Sequence, residues 1–130
     1  MADRGGRVLL VEDDDHIRGF LREALADEGY QVLEASNGRV GLALLIDRRP
    51  DLVILDLMMP DMDGWSFRAA QQRRSDVAAV PVIVLSAARH LAEHARALAA
   101  TAVFAKPFEL DDLLRVVQQV VAERHNAPAH

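Results

Sequence analysis

The chain contains no cysteine, which removes disulfides, thiol nucleophiles and thiolate metal sites together. It has no apolar run approaching the ~18 residues that a membrane span needs, and its opening residues, MADRGGR, lack the apolar stretch of a signal peptide. The cytoplasm is therefore the expected compartment, with no membrane partner. Basic residues form no block longer than Arg48-Arg49 or Arg73-Arg74, and the net charge is −5. A phosphate-backbone footprint requires the opposite sign, so direct nucleic-acid binding is not expected. Low-complexity tracts and interior linkers are also missing, which leaves no boundary at which to divide the chain.

What is present is the composition of a globular domain: 130 residues, 51% of them hydrophobic and 27% charged. One domain over 1–130 is expected, with its core at about 6–123 and a frayed tail at 124–130. Val8-Leu9-Leu10-Val11 and Leu52-Val53-Ile54-Leu55 read as strands buried on both faces, as does Val80 to Leu85. Gln31 to Ala35 and Ala102 to Ala105 read as two further strands. Between and after them lie helical patterns. The first carries Ile17, Phe20, Leu21, Ala24 and Leu25, capped by Asp14 or Asp15 and stopped by Gly29. The others run over Val40 to Ile46, Trp65 to Arg74, Leu91 to Ala100 and Leu110 to Val121. Five strands alternating with five helices predict an α/β fold, a doubly wound parallel sheet covered on both faces.

In such a sheet, ligands bind outside the carboxyl ends of the strands. The polar residues at those ends are Glu12 and Asp13 after the first strand, Asp56 after the third, Ser86 after the fourth and Lys106 after the fifth. Three carboxylates in one crevice repel one another unless a cation binds, and hard oxygen ligands suit Mg²⁺. An ammonium and a hydroxyl opposite them supply what an incoming phosphoryl oxygen needs.

These residues carry a resemblance to the receiver domains of two-component response regulators. It rests on Val8 to Asp14, on Leu52 to Gly64 with Asp56-Leu57-Met58-Met59-Pro60-Asp61-Met62-Asp63-Gly64, on Pro81 to Ala87, and on Ala105-Lys106-Pro107-Phe108. The resemblance implies a CheY-like strand order of 2-1-3-4-5, which the sequence pattern alone does not supply. It makes Asp56 the phosphoacceptor, with Ser86 binding and Lys106 pairing with the phosphoryl group. Asp13 becomes a direct metal ligand, Glu12 a ligand acting through water, and the Met58 carbonyl a backbone ligand, with Asp56 completing the Mg²⁺ site. The implied function is a phosphorylation-activated switch of a phosphorelay, a phosphoacceptor that promotes its own phosphorylation and dephosphorylation instead of a conventional enzyme. The implied partners are a sensor histidine kinase or histidine phosphotransfer protein and a downstream protein target. A homodimer would form through the fourth helix, fifth strand and fifth helix. A cis bond before Pro107 is a further expectation, well above the ~5% rate for X-Pro bonds in general.

The sequence also departs from the family. Val103 stands where an aromatic switch residue is usual, with Phe104 beside it, and Ala99-Ala100 replaces the usual Gly-Ala. The interval from Ser86 to Lys106 is slightly short, which predicts a shortened fourth helix or loop. Met58 and Ala88 occupy the positions that tune dephosphorylation; neither can orient a hydrolytic water, so a long-lived phosphoryl group is expected. Trp65 and Met62 read as packing or surface residues, and His90 and His94 as a solvated helix face. Asp61-Met62-Asp63-Gly64 superficially matches a phosphatase signature, but Asp61 is not at a strand end. A calcium loop fails because Met59 and Ala70 would be ligands. The alternatives that remain are a phosphate-independent pseudo-receiver and a receiver fragment of a hybrid kinase or longer regulator.

Overall fold

Strands and helices alternate strictly along the chain: β1 (Arg7–Val11), α1 (Asp15–Asp27), β2 (Gln31–Ala35), α2 (Gly38–Arg48), β3 (Leu52–Asp56), α3 (Gly64–Gln72), β4 (Val82–Ala87), α4 (Leu91–Leu98), β5 (Ala102–Lys106) and α5 (Leu110–Asn126). The computed structural model describes residues 5–59, 61–87 and 91–126, without the side chains of Leu91 and Asn126. Pro60, Ala88, His90 and residues 127–130 of the expected tail lie outside the described residues.

All four strand pairings are parallel, and the order is β2-β1-β3-β4-β5. Side chains alternate across a strand, so each apolar run feeds two cores. Val8, Leu10, Leu52, Ile54, Ile83 and Leu85 pack beneath α1 and α5 with Leu21, Leu25, Leu113 and Val117. Leu9, Val11, Val53, Leu55, Val82 and Val84 pack on the other face with Leu45, Phe67 and Leu98 from α2, α3 and α4. Every residue of β3 is buried, as the unbroken apolar run requires.

Local chemistry sets several boundaries. Asp14 caps α1 by accepting from the His16 and Ile17 N–H groups, Asn37 caps α2 through Val40, and Asp63 caps α3 through Ser66. Asp63 is thus a helix cap, a role outside both the phosphatase and the calcium readings.

Several boundaries differ from the sequence reading: α2 and α3 each start and end at other residues than expected, β3 and β5 run one residue further, and both ends of β4 and the far ends of α4 and α5 move as well. Strand β4 begins at Val82 because Val77 and Val80 form a turn whose carbonyls both accept from Gln71 Nε2, at 3.1 and 3.0 Å. Its other end runs on to Ala87, so Ser86 lies inside the strand. Helix α4 stops at Leu98 because Ala99 takes a left-handed φ of 50°. Helix α5 continues past Val121 to Asn126, so the fraying expected from 124 onward does not hold for 124–126. Apolar spacing ends at Val121, but His125 Nε2 reaches Asp51 Oδ1 at 3.2 Å and ties the last turn to the start of β3.

Candidate functional site

Parallel strands end on one side of the sheet, and the order reverses between β1 and β3. Glu12 follows β1 and Asp56 ends β3, so the two carboxylates flank the switch point directly. One carboxylate oxygen from each of Glu12, Asp13 and Asp56 lies within 4.8 Å of the others. Glu12 and Asp56 are buried, whereas Asp13 faces solvent. Lys106, at the end of β5, extends over the same site. Its Nζ donates to Glu12 Oε1 at 2.8 Å and lies 3.4 Å from Asp56 Oδ1. The Lys106–Pro107 peptide bond is cis.

The backbone completes the pocket. Asp56 Oδ1 accepts from the Met58 N–H at 3.2 Å, which holds the Met58 backbone beside Asp56, and Glu12 Oε2 accepts from the Asp14 N–H at 3.2 Å. Gly64 lets the returning chain approach: a Cβ there would lie 2.7 Å from Leu57 Cα and 2.9 Å from the Asp56 carbonyl oxygen. Gly38 does the same at the start of α2, where a Cβ would collide with the Met62 carbonyl oxygen.

Negative charge dominates. Burial pushes the Asp56 carboxyl up to about 7, assisted by the hydrogen bond and charge of Glu12 and opposed by Lys106 and the Met58 N–H. Burial pulls the Lys106 ammonium down, but Glu12 and Asp56 outweigh it and raise its pKa above the ordinary lysine value. Three carboxylates against one ammonium leave unbalanced negative charge, and an all-oxygen donor set with one exposed member fits a hard divalent cation.

Ser86 lies on the α4 side of β4, where its Oγ donates to the Ala87 carbonyl at 3.1 Å and lies 3.4 Å from His94 Nδ1. The sequence reading left His94 on a solvated face; it is half-buried, with Trp65 packed edge-on against its ring. The sequence reading also missed Arg18, whose Nη1 donates to the Glu12 carbonyl at 2.9 Å while Nη2 reaches Asp15 at 2.6 Å. The three-residue spacing of Asp15 and Arg18 was its only visible signal. Arg68 is buried with no acidic residue three or four positions away, so nothing flagged it.

The family model of the response regulator receiver domain matches residues 8–118. The chain belongs to that family: it is a receiver domain of two-component signal transduction. Among curated proteins it is 43% identical over 122 residues to the KDP operon transcriptional regulatory protein KdpE of Escherichia coli, covering 92% of this chain and 52% of that protein. Among solved structures it matches the Vibrio cholerae chemotaxis protein CheY4 at TM-score 0.80 and 33% identity, over 88% of this chain and 98% of that one. The Thermotoga maritima response regulator TrrA, solved in complex with Mg²⁺-BeF, matches at TM-score 0.78 and 31% identity, again over 88% and 98%. The chain spans only part of the length of curated relatives it matches, 25% in one case and 57% in another. Among the described residues no helix is long and apolar enough to cross a membrane.

Proposed function

We propose that this receiver domain is a phosphorylation-operated switch in which Asp56 accepts a phosphoryl group in a Mg²⁺-dependent reaction. The observation that carries the reading is the convergence of the Glu12, Asp13 and Asp56 carboxylates within 4.8 Å, with the Lys106 ammonium over them. The phosphodonor is a histidine kinase or histidine phosphotransfer protein, and the output is a changed protein-binding surface on α4, β5 and α5, used by a downstream target or a second copy. The reaction is a transfer to the domain's own side chain, promoted by that domain, and it fits the cytoplasm, where such donors present their phosphohistidine.

In the transfer, an Asp56 carboxylate oxygen attacks phosphorus while the bond from phosphorus to the donor's leaving group breaks. Glu12, Asp13, Asp56 and the Met58 carbonyl would hold Mg²⁺, which would supply charge neutralisation of the phosphoryl oxygens. Lys106 adds a second positive charge on the strand β5 side, and it favours the ionised form of Asp56, the form that can attack. Ser86 donates its hydroxyl proton to a phosphoryl oxygen. The product carries roughly two negative charges where one stood, so Ser86 and Lys106 gain contacts that the unmodified domain lacks.

Intact mass after incubation with phosphoramidate tests the reading. One phosphoryl group is expected on the wild type with Mg²⁺, and none without Mg²⁺ or in Asp56→Asn. A folded protein that takes up none with either phosphoramidate or acetyl phosphate overturns it in favour of a phosphate-independent binding module.

A further inference from the structure

Three residues link the phosphoryl side of the site to the outer helices. Ser86 Oγ lies 3.4 Å from His94 Nδ1, and the His94 ring meets Trp65 with centroids 5.2 Å apart and planes at 87°. Ser86 belongs to β4, His94 to α4 and Trp65 to α3, so one imidazole touches a residue of the site and a ring on the neighbouring helix. One turn further along α3, Arg68 donates to the Leu98 and Ala99 carbonyls at 2.7 and 3.0 Å and clamps the far end of α4. The C-terminal end of α4 is therefore fixed by a buried guanidinium, whereas its middle is held through a half-buried imidazole at a long hydrogen-bond distance.

A hydroxyl has one proton to give. While that proton is on the Ala87 oxygen, His94 can contact Ser86 only by donating its own Nδ1–H. If Ser86 turns its proton toward a phosphoryl group on Asp56, Oγ rotates away from the imidazole, and the half-exposed Nδ1–H exchanges it for water. Val103, which packs on the same face of the sheet, has neither a polar atom nor a ring with which to respond.

We propose that His94 is a positioning residue that transmits the state of Ser86 to α4 and to Trp65. The inference rests on the reading of Asp56 as phosphoacceptor. Phosphorylation frees the imidazole from Ser86, changes its contact with the Trp65 ring, and lets α4 pivot on the end that Arg68 holds.

Trp65 is the only tryptophan in the chain, so its emission reports the surroundings of this one ring, and the His94 variants isolate the contact within them. Emission and intact mass are followed together after adding phosphoramidate to the Mg²⁺-loaded protein, with the effect of Mg²⁺ alone subtracted. In the wild type, emission is expected to change in step with the phosphorylated mass. His94→Phe keeps a ring for Trp65 but offers nothing to Ser86; it is expected to reach the same mass with the emission change lost. His94→Leu, a second variant without Nδ1, is expected to behave alike. A full mass shift with unchanged wild-type emission overturns the inference and leaves the Asp56 reading standing, as does an emission change that persists in both variants. Absence of any mass shift overturns the reading and this inference with it.

Discussion

Lys106 is bound more closely to Glu12 than to Asp56: its Nζ lies 2.8 Å from Glu12 Oε1 and 3.4 Å from Asp56 Oδ1. The lysine thus serves as the local countercharge for a fully buried glutamate, and it only partly relieves the aspartate beside it. A divalent cation on the three carboxylates would supply what Lys106 cannot. Mg²⁺ is expected to raise the thermal midpoint, by the equivalent of ~2.7 kcal/mol at a concentration 100 times the dissociation constant. The gain is expected to fall below about pH 7, where Asp56 holds a proton that the cation must displace. Thermal melts across a Mg²⁺ series at pH 6 and pH 8 check both.

The same carboxyl governs the metal-free protein. Its pKa lies near 7 in the folded state against 3.8 ordinarily, so the folded form binds the proton more tightly than the unfolded form. Its stabilising contribution is complete below pH 3.8 and is lost as pH rises through about 7. Asp56→Asn removes this loss. Without Mg²⁺ the variant is expected to be more stable than the wild type by about 1–2 kcal/mol at pH 8, with the difference shrinking toward pH 4. Urea midpoints at the two pH values measure it.

Gly38→Ala is expected to destabilise the domain by about 1–3 kcal/mol, because the added Cβ meets a backbone carbonyl that no rotamer change can move aside. That carbonyl belongs to Met62, in the loop leading from Asp56 to α3, so the rate of phosphorylation is expected to drop as well. Gly19→Ala is the control: nothing lies within 4 Å of its Cβ position.

Arg68 serves three acceptors at once, the Leu98 and Ala99 carbonyls and Gln71 Oε1. Arg68→Ala strands these buried groups and is expected to cost about 2–4 kcal/mol by chemical denaturation. Arg68→Lys is expected to recover only part of this, since a compact ammonium cannot match the planar fork.

Met58, two positions after Asp56, is 72% exposed and presents no polar side-chain group to a hydrolytic water. Purified phosphoprotein is expected to lose its phosphoryl group slowly, and Met58→Asn to shorten its lifetime. A mass-spectrometric decay course compares the two.

Much of this was legible in the residues. The runs Val8 to Val11 and Leu52 to Leu55 announce strands buried on both faces, since only a covered parallel sheet has room for unbroken apolar residues. A strand ends where its apolar run meets charge, so Glu12, Asp56 and Lys106 could be put at strand ends from the chain alone. The bounds of β4 could not: Val80 looks like strand but is held in a turn by the Gln71 side chain nine residues earlier. Likewise, no local signal stops α4, whose end is set by an arginine thirty residues upstream.

The sequence by itself determined the alternation of elements, the residue types at the strand ends and hence the chemistry available there, because period and charge act between near neighbours along the chain. Only the tertiary structure decided that Lys106 takes Glu12 in preference to Asp56, that Arg68 clamps α4, and that His94 stands between Ser86 and Trp65. Those are contacts between residues far apart in sequence. Their partners are chosen by how helices settle on a twisted sheet and by which buried polar groups must be satisfied there, and neither leaves a mark on the local pattern.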